Sequence, residues 1–204
     1  LSGCCYCDMS YVNTYCSRNG KRRSHFDLDH FLPKSKCPIT ALSLFNFIPC
    51  CPICNQRLKR NSTWFNDIDE SIMSSPSSPQ YGFDGNVKYR LIPTDSFKVI
   101  RYQDCPDLFQ VAFHTDSPTY KKMINSLYLG ERYEFHKCEA LWLLDKMQDY
   151  PSSHIRMIHN ALCKNGTPYS EAKIREDIFG VDFIQKYNRT FSKMTRDIMD
   201  LYEE

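Results

Sequence analysis

The stretch Phe26-Asp27-Leu28-Asp29-His30-Phe31-Leu32-Pro33-Lys34-Ser35 decides how this chain reads. A short run ends in an Asp-His pair, and Pro33 closes it. Downstream lie Leu44-Phe45-Asn46-Phe47-Ile48-Pro49 and then Cys50-Cys51-Pro52-Ile53-Cys54-Asn55-Gln56-Arg57-Leu58-Lys59. Two Cys-x-x-Cys pairs, Cys4/Cys7 and Cys51/Cys54, bracket the whole segment. Four thiolates on two such knuckles fit a tetrahedral structural zinc. Cys5 and Cys50 sit beside the pairs, but only 4/7 and 51/54 keep the two-residue gap on both sides. Between the pairs lie 43 residues, so a folded unit has to lie there.

This ordering resembles the HNH endonuclease family, whose core is a ββα-metal finger. The matching features are an Asp-His pair ending one strand (Asp29-His30), a central Asn beginning a second (Asn46), and an Asn opening the helix (Asn55). Pro33-Lys34-Ser35 and Cys54-Asn55 also look like the family. The resemblance covers residues 4–60. It implies that His30 is the catalytic base, that Asn46 braces the loop orienting His30, and that Asp29 and Asn55 hold a catalytic ion. In the family a Lys often sits three residues after the helix Asn. Here Leu58 stands there and Lys59 follows.

Chemistry makes sense of these residue types. Hydrolysing a phosphodiester needs a base for water and a cation for the charge building on phosphate. Histidine, with an ordinary pKa of about 6.5, suits the first task. Carboxylate and amide oxygens are hard ligands that favour Mg²⁺ or Mn²⁺ over zinc. Two protein ligands leave room for water and phosphate oxygens.

Charge distribution points to a polyanion. The net charge of the 204 residues is +2. Residues 1–60 carry nine Lys or Arg and three acids, a balance of +6, so the remainder is −4. A basic N-terminal third suits nucleic acid, with Lys34, Arg57 and Lys59 as candidate phosphate contacts. Eleven cysteines, an odd number, cannot form a complete disulfide framework. Leu1 to Cys5 lack the basic and apolar regions of a signal peptide. The reading is therefore a cytoplasmic protein with reduced thiols. No run approaches the roughly 18 apolar residues of a membrane span.

The expected class is α+β: a zinc-stabilised ββα-metal core over residues 1–66, then a short β segment and a mostly helical region over 67–204. Ser71 to Gln80 reads as a loop, and strands are expected over 87–92, 97–102 and 109–113. Helices are expected over Pro118–Leu129 and Glu131–Tyr150. A third should close at Asn165-Gly166 and a fourth open at Thr167-Pro168. A last helix should carry the stripe Ile184, Tyr187, Phe191, Met194, Ile198 and Leu201. The leading function is metal-dependent cleavage of DNA. The alternative is a non-catalytic, zinc-stabilised module that binds nucleic acid or a partner. The arrangement of core and helical tail looks similar to bacterial anti-phage HNH proteins, including Septu-type subunits that act with an ATPase. It therefore implies a role in anti-phage defence or in a mobile element such as a prophage, and an ATPase partner.

Overall fold

The structure, a computed structural model, describes residues 3–95, 101–164, 166, 169–180 and 189–202. It forms two units. The first comprises Leu1–Lys88, Phe113–Glu131 and Tyr187–Phe191; the second comprises Tyr89–Ala112, Arg132–Lys186 and Ser192–Glu204.

The first unit begins with an exposed antiparallel hairpin of β1 (Thr14–Cys16) and β2 (Arg22–Ser24). Its turn relies on Gly20, whose φ of 74° puts the backbone in the left-handed region that favours glycine. Then come β3 (Asp27–His30) and β4 (Phe47–Cys50), paired antiparallel with Asp27 opposite Cys50 and His30 opposite Phe47. A helix over Ile53–Lys59 follows directly. It is a π-helix, and the bond from Arg60 N–H to Asn55 C=O spans five residues. These elements supply the expected ββα order.

The boundary expected after residue 66 falls inside this unit. Trp64 is buried, its ring 5.3 Å from Tyr6 and 6.2 Å from Phe31. Its indole N–H donates to Ser126 on α3 (Pro118–Ser126). Tyr120 of α3 donates its hydroxyl to Met73 C=O at 2.8 Å. Met123, Ile124 and Leu127 fill the rest of the same core. The core around Trp64 is therefore shared between residues 1–66 and the later α3.

Ser71 to Gln80 is not all loop, because α1 spans Ile68–Ser74. Asp67 caps it by accepting from Glu70 N–H at 2.8 Å, and the Glu70 carboxylate accepts from Asn66 N–H at 2.7 Å. This reciprocal capping starts a helix that the Ser/Pro composition conceals. A short α2 (Phe83–Asn86) leads to the second unit.

In the second unit, β5 (Lys88–Pro93) pairs with β6 (Phe109–His114). Tyr89 and Leu91 are buried on one face of β5, as the alternation requires, and Val87, just before the strand, is buried in the core of the first unit. The helix expected over Glu131–Tyr150 is broken into α4 (Leu129–Glu134) and α5 (Lys137–Asp149). The break serves β6: Glu134 accepts from Val111 N–H at 2.7 Å, and Lys137 donates to Phe109 C=O at 2.8 Å. Next are α6 (Ser152–Lys164), α7 (Glu171–Phe179) and α8 (Ser192–Tyr202). Ser170 caps α7. Asn165, Thr167, Pro168, residues 97–100 of the expected 97–102 strand, and Ile184 and Tyr187 of the stripe lie outside the described residues, and Arg101 and Tyr102 are not in a strand. Met194 and Ile198 of the stripe are buried, whereas Leu201 is exposed and Phe191, with φ 60°, lies just before α8 rather than in it. Among the described residues, no helix is long and apolar enough to cross a membrane.

Candidate active site

Side chains alternate along a strand, so Asp27 and Asp29 project from one face of β3 and Leu28 and His30 from the other. Asn55 and Lys59, about one turn apart on the helix, reach the carboxylate face. The two spacings match. A helical turn rises about 5.4 Å, and two residues of strand advance about 6.6 Å. Two rungs result. Asn55 Nδ2 donates to Asp27 Oδ2 at 3.2 Å, joined by Gln56 Nε2 at 2.8 Å. One rung further on, Lys59 Nζ lies 2.9 Å from Asp29 Oδ2 and 3.1 Å from Oδ1.

The second rung is dry. Lys59 is 0% exposed and Asp29 3%. Lys59 also donates to His30 C=O at 2.9 Å, and its ammonium lies 5.9 Å from the centre of the Trp64 ring. Tyr6, in the first cysteine knuckle, donates its hydroxyl to Asp29 Oδ2 at 2.6 Å. Burial, and then the adjacent Asp29 charge, push the Tyr6 phenol well above its ordinary pKa and keep it a donor. Asp29 thus has a hydroxyl and an ammonium as partners, and the partner of Asn55 is Asp27 rather than the expected Asp29. The cause is the strand period, which puts two carboxylates on one face for the helix to meet.

On the other face, His30 Nε2 is 3.0 Å from Ala41 C=O. A carbonyl only accepts, so Nε2 carries the proton in the neutral ring and Nδ1 keeps its lone pair. The ring also packs on Phe47, with centroids 4.8 Å apart. Asn46 is buried and holds the loop that supplies Ala41. Its Oδ1 accepts from Leu32 N–H at 2.7 Å, and its Nδ2 donates to Leu32 C=O at 3.0 Å and Thr40 C=O at 3.2 Å.

Cys4, Cys7, Cys51 and Cys54 are all buried, with Sγ atoms within 4.8 Å of one another. Sulfurs on a tetrahedral zinc with 2.3 Å bonds lie about 3.8 Å apart, and Cys7 and Cys51 are 3.9 Å apart. Backbone N–H groups of Cys51 and Cys54 point at Cys4 Sγ (3.3 Å) and Cys51 Sγ (3.4 Å). Hydrogen bonds within the cluster, that with Cys4 largest, pull the Cys51 thiol far below its usual range and push Cys7 and Cys54 up. Four thiolates packed this closely repel one another. A divalent ion supplies the charge that four would need, so the cluster is compatible with structural zinc.

Lys34 and Arg57 are exposed, as a phosphate contact requires, but Lys59 is not. The β1–β2 hairpin adds exposed Arg18, Lys21, Arg22 and Arg23. Three site residues were not singled out from the sequence: Asp27, Gln56 and Tyr6. For Asp27 a signal existed, since it shares the strand face of Asp29. Tyr6 between two cysteines carried none.

Two outcomes follow from this geometry. Purified protein should hold one zinc per chain by elemental analysis, and Cys54→Ser should lose it together with the cooperative unfolding of the first unit. Lys59→Met should lower stability by about 3–5 kcal/mol in chemical denaturation, because it strands a buried carboxylate. The double variant Asp29→Asn/Lys59→Met, which removes both charges, should recover most of that loss.

Residues 14–61 match the family model described as HNH endonuclease. The comparisons with curated proteins and with solved structures returned no match. The matched span contains β3, β4 and the helix with Asp27, Asp29, His30, Asn46, Asn55 and Lys59, along with the second cysteine knuckle. The chain therefore carries, over residues 14–61, a domain of the HNH endonuclease family.

Proposed function

We propose that this protein is a metal-dependent endonuclease that hydrolyses phosphodiester bonds of DNA. The observation that carries the reading is the His30 ring. Its Nε2 is committed to Ala41 C=O, leaving Nδ1 as the nitrogen able to take a proton from water. Asn46 keeps that carbonyl in place through Thr40 and Leu32. A purely binding module has no need of a histidine held in one tautomer.

The donor set beside β3 fits a small hard cation. Adjacent ligands on an octahedral ion with bonds near 2.1 Å lie about 3 Å apart, and the side chains of Asn55 and Asp27 approach to 3.2 Å. Turning the Asn55 amide presents its oxygen in place of its nitrogen. Mg²⁺ or Mn²⁺ bound there would act as a Lewis acid on the phosphate and the leaving oxygen. Lys34, Arg57 and the basic hairpin supply charge for phosphates, an attraction that weakens as salt rises. The proposed defence role and ATPase partner rest on the arrangement of an N-terminal core and a helical tail.

His30→Ala should lower cleavage of plasmid and linear DNA by roughly 10²–10⁴-fold with Mg²⁺ or Mn²⁺, as loss of a general base does. Zinc content and DNA binding should stay at parental levels. A variant that cuts at the parental rate would remove His30 from the mechanism. A parent that binds DNA and never cuts, with either ion, would leave the binding-module reading.

A further inference from the structure

We propose that Asp27, not Asp29, is the carboxylate that holds the divalent cation, and that Lys59 makes this so by acting as the permanent counter-ion of Asp29. The proposal deepens the nuclease reading and rests on it for the presence of an ion. The family resemblance points to the residue beside the histidine, Asp29, and the side-chain contacts point elsewhere.

Asp29 is already neutralised. Its two oxygens receive the Lys59 ammonium at 2.9 and 3.1 Å, and Oδ2 receives the Tyr6 hydroxyl at 2.6 Å as well. A divalent ion on this carboxylate would face an ammonium that has no route to water, since Lys59 is fully buried and also bound to His30 C=O. Like charges at that range in a dry site repel strongly. The cation would have to expel Lys59 into a core formed by Trp64, Phe31 and Tyr6.

Asp27 has the opposite surroundings. It is half-buried, so water and a substrate phosphate can complete the coordination shell. Its partners are the neutral amides of Asn55 and Gln56, and both bonds fall on Oδ2. Neither has to leave the site for an ion to enter. Asn55 becomes the second ligand, and Gln56 stays as a hydrogen-bond donor to the ligating carboxylate, the kind of outer partner that orients a metal ligand. The two rungs therefore divide the labour. The rung with the ammonium is structural, and the rung with the amides takes the ion.

The test is direct binding of Mn²⁺ to zinc-loaded protein without DNA, followed by the loss of the free-ion paramagnetic resonance signal. Asp27→Asn should weaken Mn²⁺ binding at least by the roughly 10-fold that even outer partners of a metal ligand command. Asp29→Asn/Lys59→Met, which keeps the buried site neutral, should bind Mn²⁺ as the parent does. Zinc content and far-ultraviolet dichroism establish that both variants are folded. Parental binding by Asp27→Asn, loss of binding in the folded double variant, or no Mn²⁺ bound by the parent would each overturn the assignment. Cleavage is scored separately. A parent that binds Mn²⁺ through Asp27 and cuts no DNA refutes the nuclease reading and leaves the ion site standing.

Discussion

A carboxylate shut off from water must find its counter-charge inside the protein, and in this chain Asp29 finds it in Lys59. The pair closes three separate segments on one point. Asp29 comes from β3, Lys59 from the end of the helix after β4, and Tyr6 from the first cysteine knuckle. Breaking such a pair costs about 3–5 kcal/mol, because the remaining charge stays buried. Helix and strand are thereby locked in register, and Asn55 meets Asp27 as a consequence. The cysteine cluster acts on the same point from the other end. Cys4 and Cys7 flank Tyr6, and Cys51 and Cys54 lie just before and in the first turn of the helix, so a zinc bound there would hold both partners of Asp29 within reach.

The loop between β3 and β4 is held by other means. Phe31 and Pro33 are buried at its start, but the later apolar side chains Ile39, Leu42, Leu44 and Phe45 are exposed, so hydrophobic burial does not shape the rest. Asn46, at the loop's end, does so through bonds to Leu32 near its start and Thr40 in its middle. A buried amide that satisfies several backbone groups is costly to replace, since each lost bond strands a polar group. That explains why a single asparagine can govern the orientation of a histidine 16 positions earlier. It braces the loop whose Ala41 carbonyl fixes the imidazole.

Much of this was legible in residue order. The Cys-x-x-Cys pairs announced their cluster because zinc geometry demands fixed ligand spacing. Asp-His before Pro33 and the downstream Asn46 and Asn55 announced the two strands and the helix. What could not be read were contacts set by tertiary depth. Nothing in the basic segment distinguishes Lys59, at 0% exposure, from Lys34 and Arg57 on the surface. The extent of the first unit was equally hidden. The indole N–H of Trp64 is satisfied by a helix that begins more than fifty residues later at Pro118, and periodicity within a segment carries no such information. The split between α4 and α5 is a tertiary override of a continuous helical pattern, paid for by contacts with β6.

The one-residue departure at the helix has a physical account. The family resemblance leads one to expect lysine three residues after the helix asparagine, and this chain carries it four residues after, at Lys59. In an ordinary α-helix that shift would swing the side chain around the axis by about a quarter of a turn. Here the helix is π-type, with i→i+5 bonding from Arg60 to Asn55, and each turn spends about one residue more than an α turn. The extra residue and the wider turn offset one another, so Lys59 still returns to the face of Asn55. Once on that face and inside the core, its ammonium can satisfy only what the strand offers at that depth, which is Asp29 and the His30 carbonyl. The sequence irregularity and the helix irregularity are thus a single feature, and its effect is to place a fixed positive charge beside the carboxylate that precedes the candidate base.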